Sequence, residues 1–309
     1  MTDISELIEL AWLILSPRER EKRALISSGR LLVHYTKNAK MILGSNEFRL
    51  NNARNMSDKT EIKIGRNCVN EFLREQRDSI LATLDSVHPK LHEDLIDCWH
   101  NEEQAQLSQT FISCFTDHSV DDERGSEHHW KNYGNVALCI DPSFLIDEAG
   151  QLALYLVKVI YGNTQIISGL QHLFTVIQEQ RSLLEQLDKN VLLSFLRHEL
   201  FFISVASKSE EFCVEKEWRL VHAPFLFSSA HVQSDQQFDS VDLQNFYRLP
   251  MKMPFGTSLT VLETRNLVRK VLINTKGDST DLDLCNDLVA QLTYHQVREA
   301  RAKVAFRKD

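Results

Sequence analysis

Residues 215–220 read Glu-Lys-Glu-Trp-Arg-Leu. In a strand, whose side chains alternate with a period of two, Glu215, Glu217 and Arg219 fall on one face and Lys216, Trp218 and Leu220 on the other. Charges on a strand face need water or partners. The segment therefore predicts a strand over 215–222 that lines a cleft.

The flanking sequence alternates between strand and helix signals. Ile4, Leu7, Ile8, Leu10, Ala11, Leu13, Ile14 and Leu15 fall broadly at helical spacing, and Ser16-Pro17-Arg18-Glu19 supplies a capping box with proline at the first helical position. Residues 31–36 and 47–50 read as short strands around a helix that ends at Gly44. From Asp58 to about Ser108 helix formers dominate, with a break at His88-Pro89. Strands are predicted over 110–115 and 135–141, separated by an acidic loop at 116–126 and a short helix carrying Trp130 and Tyr133. Residues 153–161 form an apolar, β-branched run, 165–205 return to helical spacing, and 228–244 read as a polar loop. A strand at 268–274, a helix from about Ser279 to Leu292 and a short strand at 303–307 complete the chain. The expected class is α+β, with an N-terminal helical extension over 1–29 and one domain over 30–309 carrying helical inserts near 58–109 and 165–205.

At 309 residues, 43% hydrophobic and 25% charged, the composition is that of a globular protein with a sizeable core. A net charge of -8 and a pI near 5.9 argue against nucleic-acid binding by bulk counterion release. No run approaches the roughly 20 apolar residues of a membrane span, and the N-terminus lacks a basic leader, so a cytoplasmic protein is expected. Cys68, Cys98, Cys114, Cys139, Cys213 and Cys285 are scattered without a CxxC pair and are read as buried reduced thiols. His88 and His92 flank a proline, Cys98 and His100 have no zinc spacing, and His128-His129 is assigned to a solvated helix, so no metal site is predicted.

Several polar residues admit two readings. His34 shares a strand face with Leu32 and Thr36, so its imidazole either finds a buried partner or points into a pocket. Trp130 and Tyr133 are spaced either to stack on a ligand ring or to fill the core. Arg54 and Asn55, in a loop before a helix, are candidates for holding phosphate or ribose, whereas Ser57 or Asp58 with Glu61 is explained by helix capping alone. Glu217 and Arg219 are either catalytic neighbours or a structural ion pair.

Taken in order, His34-Tyr35-Thr36, Asn55-Met56-Ser57-Asp58 with Glu61, Ser113-Cys114-Phe115, Trp130-x-x-Tyr133 and Glu215-x-Glu217-Trp218-Arg219 resemble the blocks of a large, mostly bacterial family, domain of unknown function 2971. The resemblance spans roughly residues 30–307, and that family is remotely similar to the ADP-ribosyltransferases. It implies a split sheet that holds NAD in the gap, with NAD as substrate and an acceptor that is a macromolecule, a small molecule or water. By analogy it implies a transferase or NAD glycohydrolase acting as a toxin or phage-defence effector. The alternative is a non-catalytic protein-interaction module on the same fold.

Under that resemblance Glu217 holds the ribose 2′-hydroxyl and opposes the positive charge that develops as the nicotinamide bond breaks. Glu215 resembles the first acid of the Glu-x-Glu pair of arginine-modifying transferases and positions or deprotonates the acceptor. His34 is the first-strand catalytic histidine, with Tyr35, Thr36, Arg54, Asn55, Trp130, Tyr133 and Arg219 as further NAD contacts. Tyr35 departs from the poly-ADP-ribose type, which has glycine there.

Overall fold

A computed structural model describes residues 4–45, 47–56, 61–143, 153–227, 232–238, 243–250, 268–274 and 303–306. The chain is α+β, and among the described residues it has eleven α-helices and a mostly antiparallel sheet. The helices are α1 (Ile4–Leu15), α2 (Pro17–Ser27), α3 (Ala39–Ser45), α4 (Glu61–Glu75), α5 (Arg77–Val87), α6 (Leu91–Asn101), α7 (Glu103–Ser108), α8 (Glu127–Tyr133), α9 (Asn163–Glu179), α10 (Arg181–Leu184) and α11 (Lys189–Val205). The main sheet runs β12 (Lys303–Phe306), β11 (Val268–Ile273), β4 (Val136–Ile140), β1 (Leu31–Thr36), β3 (Phe111–His118), β2 (Glu47–Asn52), β10 (Leu243–Pro250), β9 (Gln233–Phe238). In addition, β8 (Glu217–His222) pairs with β3 and β5 (Leu154–Lys158) pairs with β8.

The pairing along β3 determines where a site can form. Its C-terminal residues, Thr116 to His118, pair with β1, whereas Phe111 and Ile112 pair with β2. The opposite edge, from Phe111 to Thr116, belongs to β8. Strands β1 and β2 thus share one edge of β3 and diverge around Ser113–Phe115, leaving a local opening in the ladder.

Period-two burial explains the layers. Leu32, Phe115, Trp218, Leu220 and Leu138 project into one apolar cluster, whereas Val33, Tyr35, Ala137 and Cys139 belong to a cluster on the other face with Trp130. The helical inserts share a further core: Leu7, Ala11 and Leu15 of α1 pack in the same cluster as Val69 of α4, Leu170 of α9 and Leu196 of α11. Close approach of α4 and α11 depends on Gly65, where a Cβ would lie 2.0 Å from the Ser204 carbonyl oxygen.

Several sequence expectations are corrected. Ser16 precedes α2, but its side chain makes no cap hydrogen bond, and Glu19 pairs instead with Lys22. Helix α3 runs through Gly44 to Ser45. The segment 228–244, read as loop, contains β9 and the start of β10. Cys213 is exposed and Cys98 and Cys114 are partly buried, so burial of the thiols holds for Cys68 and Cys139; Cys285 and the helix expected near 279–292 lie outside the described residues. No helix among the described residues is long and apolar enough to cross a membrane.

Candidate functional site

The strand expected over 215–222 begins two residues late. Glu215 ends a 3-10 turn, Glu210–Glu215, and Lys216 adopts the left-handed conformation (φ 45°, ψ 46°), which breaks the alternation. Glu215 and Glu217 nevertheless converge, through a tertiary contact absent from the local pattern. Lys208, in the two-residue strand β7 (Ser207–Lys208), places its Nζ 2.6 Å from Glu215 Oε2 and 2.9 Å from Glu217 Oε2. The other Glu217 oxygen, Oε1, accepts from Arg219 Nε at 2.8 Å, and Arg219 Nη1 donates to the Val205 carbonyl at 2.5 Å. Tyr133 joins the group by donating its hydroxyl to Glu215 Oε1 at 2.8 Å, and His128 Nε2 lies 3.5 Å from the same oxygen.

All four charged groups are buried, Arg219 completely. Two carboxylates and two cations make the cluster locally neutral, which is how charges persist inside a protein. Burial alone would raise the Glu217 pKa, but Arg219 and Lys208 hold it well below the usual carboxylate range. Burial, the adjacent Glu215 carboxylate and the hydrogen bond to it push the Tyr133 phenol well above its ordinary value.

A cavity of about 120 Å³ opens onto this cluster. Its walls include His34, Tyr35, Cys114, Thr116, His129, Tyr133, Lys208, Glu215 and Glu217. That volume is small beside the roughly 300–1,000 Å³ of small-molecule sites, so the cavity holds one end of a dinucleotide at most. A larger recess of about 880 Å³ between α4, α5 and α6 contains none of the candidate catalytic or NAD-contacting residues, although His92 and His100 line it.

His34 and Glu217 line the same cavity but come from opposite faces of the sheet. Glu217 pairs with Thr116, and Thr116 with Val33, so these side chains share the face carrying Tyr35. His34 alternates with Leu32 onto the other face, where its ring lies 5.8 Å from Phe48 and 5.5 Å from Phe115. Its Nδ1 lies 2.9 Å from the Cys114 carbonyl, across the opening in the ladder, and donates to that oxygen as the neutral tautomer. Burial lowers the pKa of this imidazole, against the effect of the carbonyl hydrogen bond. The resemblance implies that His34 and Glu217 approach across one cleft; here they are linked indirectly through β3, where the thiol of the same Cys114 hydrogen-bonds Glu217.

The remaining candidates divide sharply. Tyr35 reaches the cavity, but its hydroxyl accepts from Ser126 N at 2.8 Å and lies 3.3 Å from His118 Nε2, so it anchors the acidic loop. Asp122 tightens that loop by accepting from Arg124 N and Gly125 N and contacting His118 Nδ1. Trp130 is a core residue, with its ring edge-on to Tyr35 and Nε1 donating to the Arg124 carbonyl. Thr36 is buried and accepts from Asn38 N. Arg54 and Asn55 are exposed on a 3-10 turn and do not line the cavity, although Met56 does. Arg219 supports Glu217 from beneath and also lies outside the cavity wall.

Sequence reasoning missed Lys208 and His129. Lys208 follows a long helical insert in the polar run Ser207-Lys208-Ser209-Glu210-Glu211, which reads equally well as an exposed turn. His129, assigned to a solvated helix face, is buried, stacks on Tyr35 at 4.9 Å and has its pKa depressed to about 4, chiefly by burial. The His-His pair carried a usable signal: in a short helix that also presents Trp130 and Tyr133, adjacent residues cannot all face water.

Compared with protein-family models, curated proteins and solved structures, the chain matches none.

Proposed function

We propose that this protein consumes NAD, as an ADP-ribosyltransferase or NAD glycohydrolase, with Glu217 as the charge that stabilises the reacting ribose. The observation that carries this reading is the convergence of Glu217, Glu215, Tyr133 and His34 on one cavity where β1 and β2 diverge from β3. In the proposed reaction the C1′–N bond of NAD breaks with its electron pair leaving on the nicotinamide nitrogen. An oxygen of water or another acceptor then bonds to C1′ and loses its proton to solvent. A carboxylate held ionised by neighbouring cations suits the electrostatic part of this chemistry and is a poor general base.

Each Glu217 oxygen already accepts from a nitrogen donor, but a carboxylate offers about four lone-pair sites, so a ribose hydroxyl can still be received. His34 is assigned a positioning role, clamping the Cys114 carbonyl at the opening. The adenosine end of NAD lies outside the cavity in this reading. The acceptor, and the role of such an enzyme as a toxin or phage-defence effector, belong to the same proposal.

The test is nicotinamide release from labelled NAD by the wild-type protein and by Glu217→Gln. Turnover that falls by about 10²–10³-fold with the fold intact is the expected result, the loss typical of removing one preorganised electrostatic contact. Two observations favour the rival reading, a non-catalytic interaction module: the Glu217–Arg219–Lys208 cluster is internally satisfied without any ligand, and His34 and Glu217 come from opposite faces of the sheet, against the shared cleft that the resemblance implies. No turnover by the wild-type protein would select that module.

A further inference from the structure

We propose that Lys208 sets the acceptor specificity of this site: its ammonium fills the place between Glu215 and Glu217 where a cationic acceptor would dock, so the site transfers to water or a neutral hydroxyl and excludes guanidinium and ammonium groups. The inference rests on the NAD-consuming reading above. It begins from geometry. Nζ bridges the two carboxylates at 2.6 and 2.9 Å, at the wall of the cavity. Lys208 is 6% exposed, and its ammonium also lies 4.9 Å from the centre of the Phe212 ring.

The backbone holds this ammonium in place. Strand β7 follows α11 directly and pairs in parallel with β6 (Ile160–Tyr161), while Gly162 N donates to the Lys208 carbonyl at 2.9 Å. A lysine displaced from that position would leave a buried cation without its anions, which is strongly unfavourable. A guanidinium seeking the paired carboxylates needs the two Oε2 atoms that Lys208 occupies. The other oxygens are engaged by Tyr133 and Arg219, and the four charges of Glu215, Glu217, Lys208 and Arg219 sum to zero. Among these four groups no net negative charge is left to attract a cation, and His128 Nε2 also lies 3.5 Å from Glu215 Oε1. A water molecule or alcohol needs only one remaining lone pair and brings no charge. Its oxygen forms the bond to C1′ as nicotinamide leaves with the former bonding pair, and its proton passes to bulk water.

The probe is agmatine, a small guanidinium compound, titrated calorimetrically into wild-type protein, Glu215→Gln, Lys208→Met and Lys208→Met/Glu215→Gln, each checked by thermal melting. The wild type is expected to bind no agmatine. Lys208→Met is expected to bind it, with affinity falling by about tenfold or more on adding Glu215→Gln, equivalent to roughly 1.4 kcal/mol. Wild-type binding that Glu215→Gln abolishes overturns the proposal, as does a folded Lys208→Met that ignores agmatine. If Lys208→Met does not fold, the wild-type titration still decides between exclusion and binding. In parallel, wild-type protein is given labelled NAD with agmatine or methanol. Methyl ADP-ribose without ADP-ribosyl-agmatine supports the specificity, and ADP-ribosyl-agmatine refutes it. Absence of any NAD turnover fails the underlying enzymatic reading, while the calorimetry separately reports on cation exclusion.

Discussion

Replacing Arg219 by methionine removes the only completely buried cation of the cluster while retaining most of the side-chain volume. Glu217 then loses the donor at 2.8 Å, the Val205 carbonyl loses the donor at 2.5 Å, and the cluster changes from neutral to a net negative charge. Breaking a buried ion pair from one side costs about 3–5 kcal/mol. Glu217→Gln keeps the shape but gives Arg219 and Lys208 an amide to share, at a cost of roughly 1.5–3 kcal/mol. The double variant restores charge balance, with Lys208 facing Glu215 alone. Its loss should therefore be smaller than the sum of the single losses by about 1–3 kcal/mol. Urea unfolding of the four proteins at neutral pH measures this coupling. Acid provides a second check: the folded pKa of Glu217 lies below its ordinary 4.5, so its contribution is present above pH 4.5 and is lost as pH falls through the lower folded value. Arg219→Met weakens that depression, so the stability gap to wild type should narrow on acidification. Losses that add to within about 0.5 kcal/mol, with a gap independent of pH, would refute the buried network as the source of stability.

Three further outcomes are expected. Trp130→Phe keeps a ring against Tyr35 but removes the Nε1 bond to the Arg124 carbonyl, so thermal stability should fall by about 1 kcal/mol and, under the proposed NAD-consuming function, the KM for NAD should stay unchanged; a raised KM with unchanged stability would return Trp130 to the proposed binding site. Gly134→Ala should destabilise by roughly 1–3 kcal/mol in chemical denaturation, because φ is 139° and a Cβ would lie 2.5–2.7 Å from Thr36 and Lys37 backbone atoms; a neutral variant would contradict the close approach of α8 to β1. His129 titrates near 4 in the folded protein and near 6.5 when unfolded, so the unfolded chain binds more protons between these values and stability falls as pH drops from about 6.5 to 4; His129→Gln should flatten that part of the pH–stability curve, and an unaltered slope would remove His129 from the buried site.

The α+β class and the course of many elements follow from the sequence, because hydrophobic period is a local property. Leu32 and Val33 sort to opposite faces of β1, and Trp218 and Arg219 to opposite faces of β8, as alternation requires. The ion pair between Glu217 and Arg219 was likewise one of the two readings open from their spacing, since residues two apart on a strand are neighbours. Tertiary structure decided what the sequence left open. Glu215 reaches Glu217 despite a left-handed break at Lys216, with Lys208, brought from the end of a helical insert by pairing with β6, bridging them and Tyr133 holding the other Glu215 oxygen. His34 looks like any strand residue until β1 and β2 are seen to share one edge of β3, which sends its ring to the Cys114 carbonyl and away from the face of Glu217. Side-chain periodicity assigns a residue to a face; which distant charge or carbonyl waits there depends on strand order and register, and these are set by contacts between segments far apart in the chain.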